Sequence, residues 1–329
     1  MRLLVTGGAG FIGANFVRYV LRTTRDVDVV NLDALTYAGN PASLADLADD
    51  ARYRFVHGDV RDAALMGSLA AEADAVAHFA AETHVDRSID APARFLETNV
   101  VGTAVVFDAC RDAGVERVLH VSTDEVYGSI EPPGRFVESD PLRPNSPYAA
   151  SKAAADLLAR AYRQTYDFPV IVTRATNTFG PYHYPEKVVP LFITNLIDGV
   201  AVPLYGDGSQ AREWTYVEDN VAAQWLALTD GEPGSDYNVG SGEERTNREL
   251  TDAILEAMGV GAEHVEHVAD RPGHDRRYAV DSTRIRGLGW EPSVGFDEAL
   301  ARTVAWYRRN EAWWRPLKRQ GASTRRGSA

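Results

Sequence analysis

Residues 3–13 read Leu3-Leu4-Val5-Thr6-Gly7-Gly8-Ala9-Gly10-Phe11-Ile12-Gly13. An apolar run of strand length turns at glycines directly into a helical pattern from Phe11 to Leu21. Gly8, Gly10 and Gly13 give Gly-x-Gly-x-x-Gly, and Gly7, Gly10 and Gly13 give Gly-x-x-Gly-x-x-Gly. Glycine permits a tight turn and lets backbone approach a pyrophosphate, while the helix start offers unpaired N–H groups and the positive end of its dipole. Asp33 ends the next apolar run about twenty residues later, where a carboxylate accepts bonds from an adenosine ribose and repels a 2′-phosphate. The arrangement predicts NAD rather than NADP; the competing reading is a glycine-rich structural turn with Asp33 at the surface.

Working outward, strand-length apolar bursts recur at Leu3 to Thr6, Val27 to Leu32, Tyr53 to His57, Ala75 to Phe79, Arg117 to Ser122 and Val170 to Arg174. They lack polar alternation, as strands do when helices cover both faces of a sheet. Helical patterns lie between them at Phe11 to Leu21, Pro92 to Ala113 and Tyr148 to Tyr166, with Pro92 suited to a first turn. Strand and helix in alternation predict an α/β fold with a doubly wound parallel sheet. After Arg174 the rhythm changes at Gly180-Pro181, Pro185, Pro190, Pro203 and Gly206-Asp207-Gly208. The organisation expected is a dinucleotide-binding unit over 1–174 that also carries the catalytic residues. A smaller substrate-facing lobe follows over 175–317, with segments such as Tyr216 to Leu228 packing back on the first. A basic, disordered tail is expected over 318–329.

Composition limits the partners. The chain has 329 residues, 45% hydrophobic and 25% charged, with a net charge of −13. That balance fits an ordinary globular protein and opposes nucleic acid or an anionic membrane surface. No segment approaches the ~20 apolar residues of a membrane span, and the N-terminal apolar stretch is too short for a signal peptide. Cys110 stands alone, which fits a reducing cytoplasm and excludes an internal disulfide. His264-x-x-His267 lacks an accompanying acid at metal-ligand spacing, so no metal is expected.

Chemistry concentrates where the predicted strands end. Asp59-Val60 and Phe79-Ala80-Ala81 fall at the carboxyl edge, where an open α/β sheet places its ligand crevice. Asp59 is positioned for an adenine amino group, and the alanines allow close passage of the chain. Tyr148-Ala149-Ala150-Ser151-Lys152 begins a helix and puts phenol and ammonium on one face. A nearby cation favours the phenolate, so the expectation is a Tyr148 pKa lowered towards neutrality. The strand before it ends in Ser122-Thr123-Asp124-Glu125-Val126-Tyr127-Gly128, bringing a hydroxyl and two acids to the same edge.

The chain resembles the extended short-chain dehydrogenase/reductases and, among them, the dTDP-glucose 4,6-dehydratases. The resemblance rests on Thr6 to Gly13, Leu35-Thr36-Tyr37-Ala38-Gly39-Asn40, His84-Val85-Asp86-Arg87-Ser88-Ile89, Ser122 to Gly128, Gly180-Pro181-Tyr182-His183, Pro185-Glu186-Lys187 and Asp270-Arg271-Pro272-Gly273-His274-Asp275. It implies C4 oxidation, C5–C6 elimination and C6 reduction of a hexose with one recycled NAD. In that scheme Tyr148, assisted by Thr123 and Lys152, removes the C4 hydroxyl proton. Glu125 takes the C5 proton, and Asp124, kept protonated by burial and by Glu125, donates to the departing C6 hydroxyl.

The same resemblance assigns cofactor contacts to Gly7, Gly10, Phe11, Ile12, Gly13, Asp33, Ala34, Leu35, Thr36, Asp59, Val60, Phe79, Ala80, Ala81, Thr98, Tyr148, Lys152 and Thr178. It assigns the nucleotide sugar to Thr83, Thr123, Asn177, Lys187, Val188, Pro203, Leu204, Tyr205, Arg212, Asn247, Arg271 and His274. It also implies a homodimer paired through the helices near 92–113 and 148–166. The chain departs from the family pattern at Thr176-Asn177-Thr178-Phe179 and at Arg174-Ala175, where Arg174 is expected to alter pocket charge. Three other readings share parts of this pattern: a UDP-glucose 4,6-dehydratase, a nucleotide-sugar 4-epimerase, which lacks the Asp-Glu pair after the threonine, and a noncatalytic NAD or nucleotide-sugar sensor, which has no use for the five catalytic candidates together.

Overall fold

The six apolar runs become parallel strands: β1 (Arg2–Thr6), β2 (Asp28–Asp33), β3 (Tyr53–His57), β4 (Ala75–His78), β5 (Arg117–Thr123) and β6 (Val170–Ala175). The structure is a computed structural model that describes residues 1–269 and 275–326. Shorter strands follow as β7 (Asn177–Phe179), β8 (Val202–Tyr205), β9 (Ala211–Tyr216), β10 (Asp236–Val239), β11 (Glu244–Thr246) and β12 (Val265–Val268). The large sheet has the order β10-β6-β5-β4-β1-β2-β3. Its pairs are all parallel, as a doubly wound sheet requires. Two small sheets, β11-β9-β7 and β12-β8, carry the later part of the chain.

Both faces of the large sheet are covered, which explains the uninterrupted apolar runs. Leu3 and Val5 point into one core with Phe16, Val17 and Val20, while Leu4 points into the other with Val106, Phe107 and Val118. The covering helices are α1 (Phe11–Thr23), α2 (Ala63–Ala70), α3 (Val85–Asp90), α4 (Pro92–Leu96), α5 (Thr103–Ala113) and α6 (Pro147–Tyr166). Further on come α7 (Val188–Ile197), α8 (Val217–Asp230), α9 (Asn247–Met258), α10 (Thr283–Gly287), α11 (Phe296–Arg309) and α12 (Glu311–Arg326). The second half is interleaved with the first: α8 packs on α1, and β10 pairs with β6.

Two expectations are corrected. The helix expected over 92–113 is divided, because residues Glu97–Gly102 form a π-turn between α4 and α5. The buried Asn99 side chain occupies that turn, accepting the Glu82 N–H at 2.7 Å and donating to the Glu82 carbonyl at 3.0 Å and to Ser151 Oγ at 2.9 Å. An amide engaged in this way stabilises the extra backbone residue that a π-turn accommodates. At the C-terminus α12 continues to Arg326 where a disordered tail is predicted from residue 318. The helix is anchored by the fully buried Trp314 and by Arg315 and Lys318, each 2.8 Å from Asp198. Among the described residues no helix is long and apolar enough to cross a membrane.

Candidate active site

The carboxyl ends of β1, β2, β4, β5 and β6 open onto a cavity of about 580 Å3. Its near end is the glycine turn. Gly7 takes φ +73°, and a Cβ there would lie 2.5 Å from the Ala80 backbone nitrogen; a Cβ on Gly13 would lie 2.3 Å from the Gly7 carbonyl oxygen. These positions admit only glycine, and they bring β1, α1 and the Phe79-Ala80 segment into close contact. No side chain caps the start of α1 at Gly10, so its first N–H groups face the cavity with the positive end of the helix dipole. This cradle fits the diphosphate of a dinucleotide.

Asp33 ends β2 beside it. Its Oδ2 accepts the Ala9 N–H at 2.9 Å and its Oδ1 accepts the Leu35 N–H at 2.7 Å. Burial raises its pKa and the two backbone bonds oppose that. Each oxygen keeps a second lone pair, so the carboxylate braces the glycine turn and still has acceptors for a ribose. Asp59 is engaged by Arg61 at 2.7 Å, which holds its carboxyl below the usual range.

Of the cofactor residues expected from sequence, all line this cavity except Leu35, which contributes its backbone to Asp33 from a left-handed φ of 50°. Thr178 lines it with a committed hydroxyl, which donates to the Thr176 carbonyl at 3.1 Å and accepts from Asn220 at 2.9 Å.

At the far end of the cavity Thr123, Asp124, Glu125, Tyr148 and Lys152 come together. Thr123 ends β5, and Asp124 and Glu125 occupy a tight turn, Asp124–Tyr127, whose first residues the Thr123 hydroxyl caps through the Glu125 N–H at 3.3 Å. Asp124 is fully enclosed. Its Oδ1 accepts from Thr123 at 3.2 Å, and its Oδ2 has no hydrogen-bond partner. Burial first, then the charges of Glu125 and Glu213, push its pKa well above the carboxylate range. The expectation of a proton-bearing Asp124 is met in direction and in cause.

Tyr148 behaves differently from expectation. Its pKa is raised, not lowered, because burial dominates and Glu125 and Asp124 oppose a phenolate, while Thr123 acts weakly the other way. Lys152, one turn further along α6, donates to the Val121 carbonyl at 2.8 Å, and burial lowers its pKa to about 8. Sequence spacing shows the phenol and ammonium on one face and leaves out both the burial of the phenol and the two acids that approach from the turn after β5.

The residues expected to hold substrate divide into two groups. Thr83, Thr123, Asn177, Lys187 and Val188 line the cavity. Pro203, Leu204, Tyr205, Arg212 and Asn247 lie outside it on the two small sheets and the start of α9, and the Leu204 side chain is buried in packing. Arg212 bonds the backbone carbonyls of Ala211 and Asp275 at 2.7 and 2.9 Å and sits 4.3 Å from the Tyr278 ring centre. Arg271 and His274 lie outside the described residues.

Arg174 does not face the cavity at all. It turns inward to Asp156 and Asp236, because a guanidinium on a strand buried on both faces needs acid partners there.

Tyr37 and Glu186 line the cavity and Arg87 lies beside it, and none of the three carries a role in the sequence reading. Arg87 stacks 3.8 Å over the Tyr37 ring and pairs with Glu186 at 2.9 Å, while Tyr37 donates to the Thr83 carbonyl at 3.2 Å. These bonds join three loops beside the cavity. All lie inside motifs quoted above, so the motifs were a signal for them; their mutual contacts join residues up to 99 positions apart and had none.

Comparison with known proteins adds the following. The family described as GDP-mannose 4,6 dehydratase matches residues 4–303. The chain is 54% identical over 328 residues to a dTDP-glucose 4,6-dehydratase of Streptomyces antibioticus, covering 98% of this chain and 97% of that one. It is 53% identical over 307 residues to the low-salt glycan biosynthesis protein Agl12 of Haloferax volcanii, covering 93% and 98%. Among solved structures it is similar to DesIV, a dTDP-glucose 4,6-dehydratase from Streptomyces venezuelae crystallised with NAD bound, with a TM-score of 0.94, 55% identity and coverage of 96% and 100%.

Proposed function

The chain belongs to the GDP-mannose 4,6 dehydratase family, and from that premise we propose that it is an NAD-dependent hydro-lyase converting dTDP-glucose to dTDP-4-keto-6-deoxyglucose and water. One observation carries the proposal: a buried acid, Asp124, with its pKa pushed well above the carboxylate range, keeps Oδ2 unpartnered beside Glu125, Thr123, Tyr148 and Lys152, at the end of a dinucleotide cradle. An epimerase has no use for such a proton donor; a dehydratase must protonate a departing hydroxyl.

Gly7, Gly10, Gly13 and the start of α1 would hold the NAD diphosphate, and Asp33 its ribose. When bound there, NAD would supply the hydride acceptor for C4 oxidation and the hydride donor for C6 reduction. Tyr148 takes the C4 hydroxyl proton with Thr123 alongside. Burial opposes ionisation of that phenol and the Glu125 charge adds to it, so Tyr148 acts as the phenolate only while Lys152 carries its charge. The C4 ketone then acidifies C5–H, Glu125 removes that proton, and Asp124 delivers its own to the C6 oxygen as water leaves. Asp124 and Glu125 function as a coupled pair, one proton-bearing and one proton-accepting.

Thr83, Asn177, Lys187 and Val188 would face the sugar nucleotide from the cavity, with Arg212, Asn247 and Pro203 to Tyr205 closing over it from the small sheets. The unit over 1–174 then carries NAD and catalysis, and most of 175–317 carries the nucleotide sugar. Two copies pair as a homodimer. Leu96 and Val101, beside α5, and Leu157 on α6 are 50 to 55% exposed, and apolar side chains clustered on adjacent helices favour burial against a partner. The chain is placed in the cytoplasm, which suits a single thiol enclosed in the core.

The test is to incubate the purified protein with NAD and dTDP-glucose, with UDP-glucose in parallel, and follow the sugar C5 and C6 protons by NMR. A new methyl signal, formed faster from dTDP-glucose, is the expected result. A preserved hydroxymethyl with inverted C4 means epimerisation, faster reaction of UDP-glucose reassigns the base, and binding without turnover reassigns the chain to a sensor.

A further inference from the structure

Three lysines occur in the chain, Lys152, Lys187 and Lys318, so every buried positive charge outside the cavity falls to arginine. One arginine stands apart. Arg174 is 5% exposed on β6, and each nitrogen of its guanidinium is engaged. Nε lies 2.8 Å from Asp156 Oδ2 on α6, Nη2 lies 2.9 Å from Asp236 Oδ2 on β10, and Nη1 donates to the Tyr127 hydroxyl at 2.8 Å and to the Glu138 carbonyl at 3.1 Å.

Two of those partners sit next to the chemistry. Asp156 follows Lys152 by four residues on α6, the spacing at which side chains share a helix face. Tyr127 closes the turn that carries Asp124 and Glu125. Asp156 is itself buried, and its Oδ1 has no hydrogen-bond donor. His120 on β5 approaches that oxygen to 3.6 Å, but burial and the surrounding cations hold its ring well below the usual imidazole pKa, so it brings no charge. The charged groups around Asp156 are therefore Arg174 from β6 and Lys152 from its own helix.

A buried carboxylate that loses its cation is left uncompensated, and the other cation acting on Asp156 is Lys152. Lys152 now donates to the Val121 carbonyl rather than to Asp156. We propose that Arg174 is a positioning residue of the active site: by occupying Asp156 it keeps Lys152 from turning back along α6 to that carboxylate, and through Tyr127 it fixes the Asp124–Glu125 turn against the same helix. The Lys152 part stands on the geometry of the resting protein; its meaning for turnover rests on the function proposed above.

The scarcity of lysine makes the test direct. Protein labelled with 13C at the lysine Cε shows three signals, Lys318→Arg and Lys187→Arg each remove one and so assign the third, and the Lys152 signal is titrated without substrate. In Arg174→Asn the Lys152 midpoint should move up by about one pH unit or more, the effect of an opposite charge brought close. The same variant should lose about 10- to 100-fold in kcat with little change in KM. Asp156→Asn/Arg174→Asn removes the competing carboxylate and should return the midpoint to the wild-type value or below.

An unmoved Lys152 midpoint in folded Arg174→Asn overturns the proposal, even if kcat falls, because the loss would then be structural. A rise that the double variant does not reverse overturns it as well. If Arg174→Asn does not fold, the double variant and Arg174→Lys, whose added lysine gives a fourth signal absent from wild type, decide: the proposal requires a Lys152 midpoint no higher than wild type in both, and a rise in either refutes it. Since the titration needs neither NAD nor sugar, failure of the dehydratase reading leaves a separate result.

Discussion

The Asp33 carboxylate accepts the Ala9 N–H at 2.9 Å, so the end of β2 holds the glycine turn that joins β1 to α1. With the Leu35 N–H on its other oxygen, Asp33 organises two loops of the cofactor cradle at once. Asp33→Asn leaves one oxygen for two donors and turns an NH2 towards the other. An unsatisfied buried N–H costs about 1 to 3 kcal/mol. NAD affinity measured by calorimetry should fall by about tenfold or more, with a lowered Tm. Unchanged NAD affinity would show that the turn holds its shape without this carboxylate.

Asp124→Asn should separate stability from activity. The folded protein binds the Asp124 proton more tightly than the unfolded chain does, so its stabilising contribution is complete below the unfolded pKa, near ~3.9, and is lost as pH rises through the raised folded value. The carboxamide cannot ionise and removes that loss. Thermal melts should show the variant gaining on wild type as pH rises from 5 to 8, by about 1.4 kcal/mol for each unit of elevation. Dehydration should fall by about 100-fold or more, since the carboxamide has no proton to give.

Lys152 sets an alkaline limit. Burial lowers its pKa to about 8, so the charge that supports Tyr148 is lost as pH rises through that value. In kcat/KM against pH a falling limb should be centred near 8, and Lys152→Arg, whose guanidinium stays charged beyond ~12, should carry no such limb. The stability effect has the opposite sign: between about 8 and ~10.4 the folded state holds fewer protons than the unfolded one, and stability from this group rises with pH. A limb that survives in Lys152→Arg belongs to another group.

Leu157→Glu should break the dimer. A carboxylate placed on the apolar stripe of α6 would be desolvated on pairing, at a cost of several kcal/mol for an unpartnered ion. Light scattering at micromolar concentration should give twice the 36.0 kDa chain mass for wild type and the chain mass for the variant. A wild-type value of one chain removes the dimer.

The large sheet was legible because its central strands are buried on both faces, which leaves unbroken apolar runs such as Val118-Leu119 and Val170-Ile171-Val172. The cofactor cradle was legible because its residues lie within a few positions of one another and of a strand end. The Tyr148 pKa was not, since burial in the folded site sets its sign, and Glu125 and Asp124, more than twenty positions away, act in the same direction. The π-turn at Glu97–Gly102 depends on Asn99 meeting the Glu82 backbone, a contact with no local pattern. Arg174 did leave a trace: a charge within a strand otherwise fit only for burial requires a buried acid, and Asp156 stands among alanines on the enclosed face of α6.

The place of β10 in the sheet bears on how the chain folds. β10 lies outside β6 and supplies Asp236 to both Arg174 and Arg163, yet it is synthesised more than sixty residues after β6. Until residue 239 has left the ribosome, β6 is an open edge strand carrying a half-paired arginine, a condition that invites mispairing during synthesis. Completion of the dinucleotide-binding sheet is therefore tied to late, non-local pairing, which slows folding relative to a unit closed by neighbouring strands. A fragment ending at residue 174 would keep the glycine turn and lose the acid that balances its last strand.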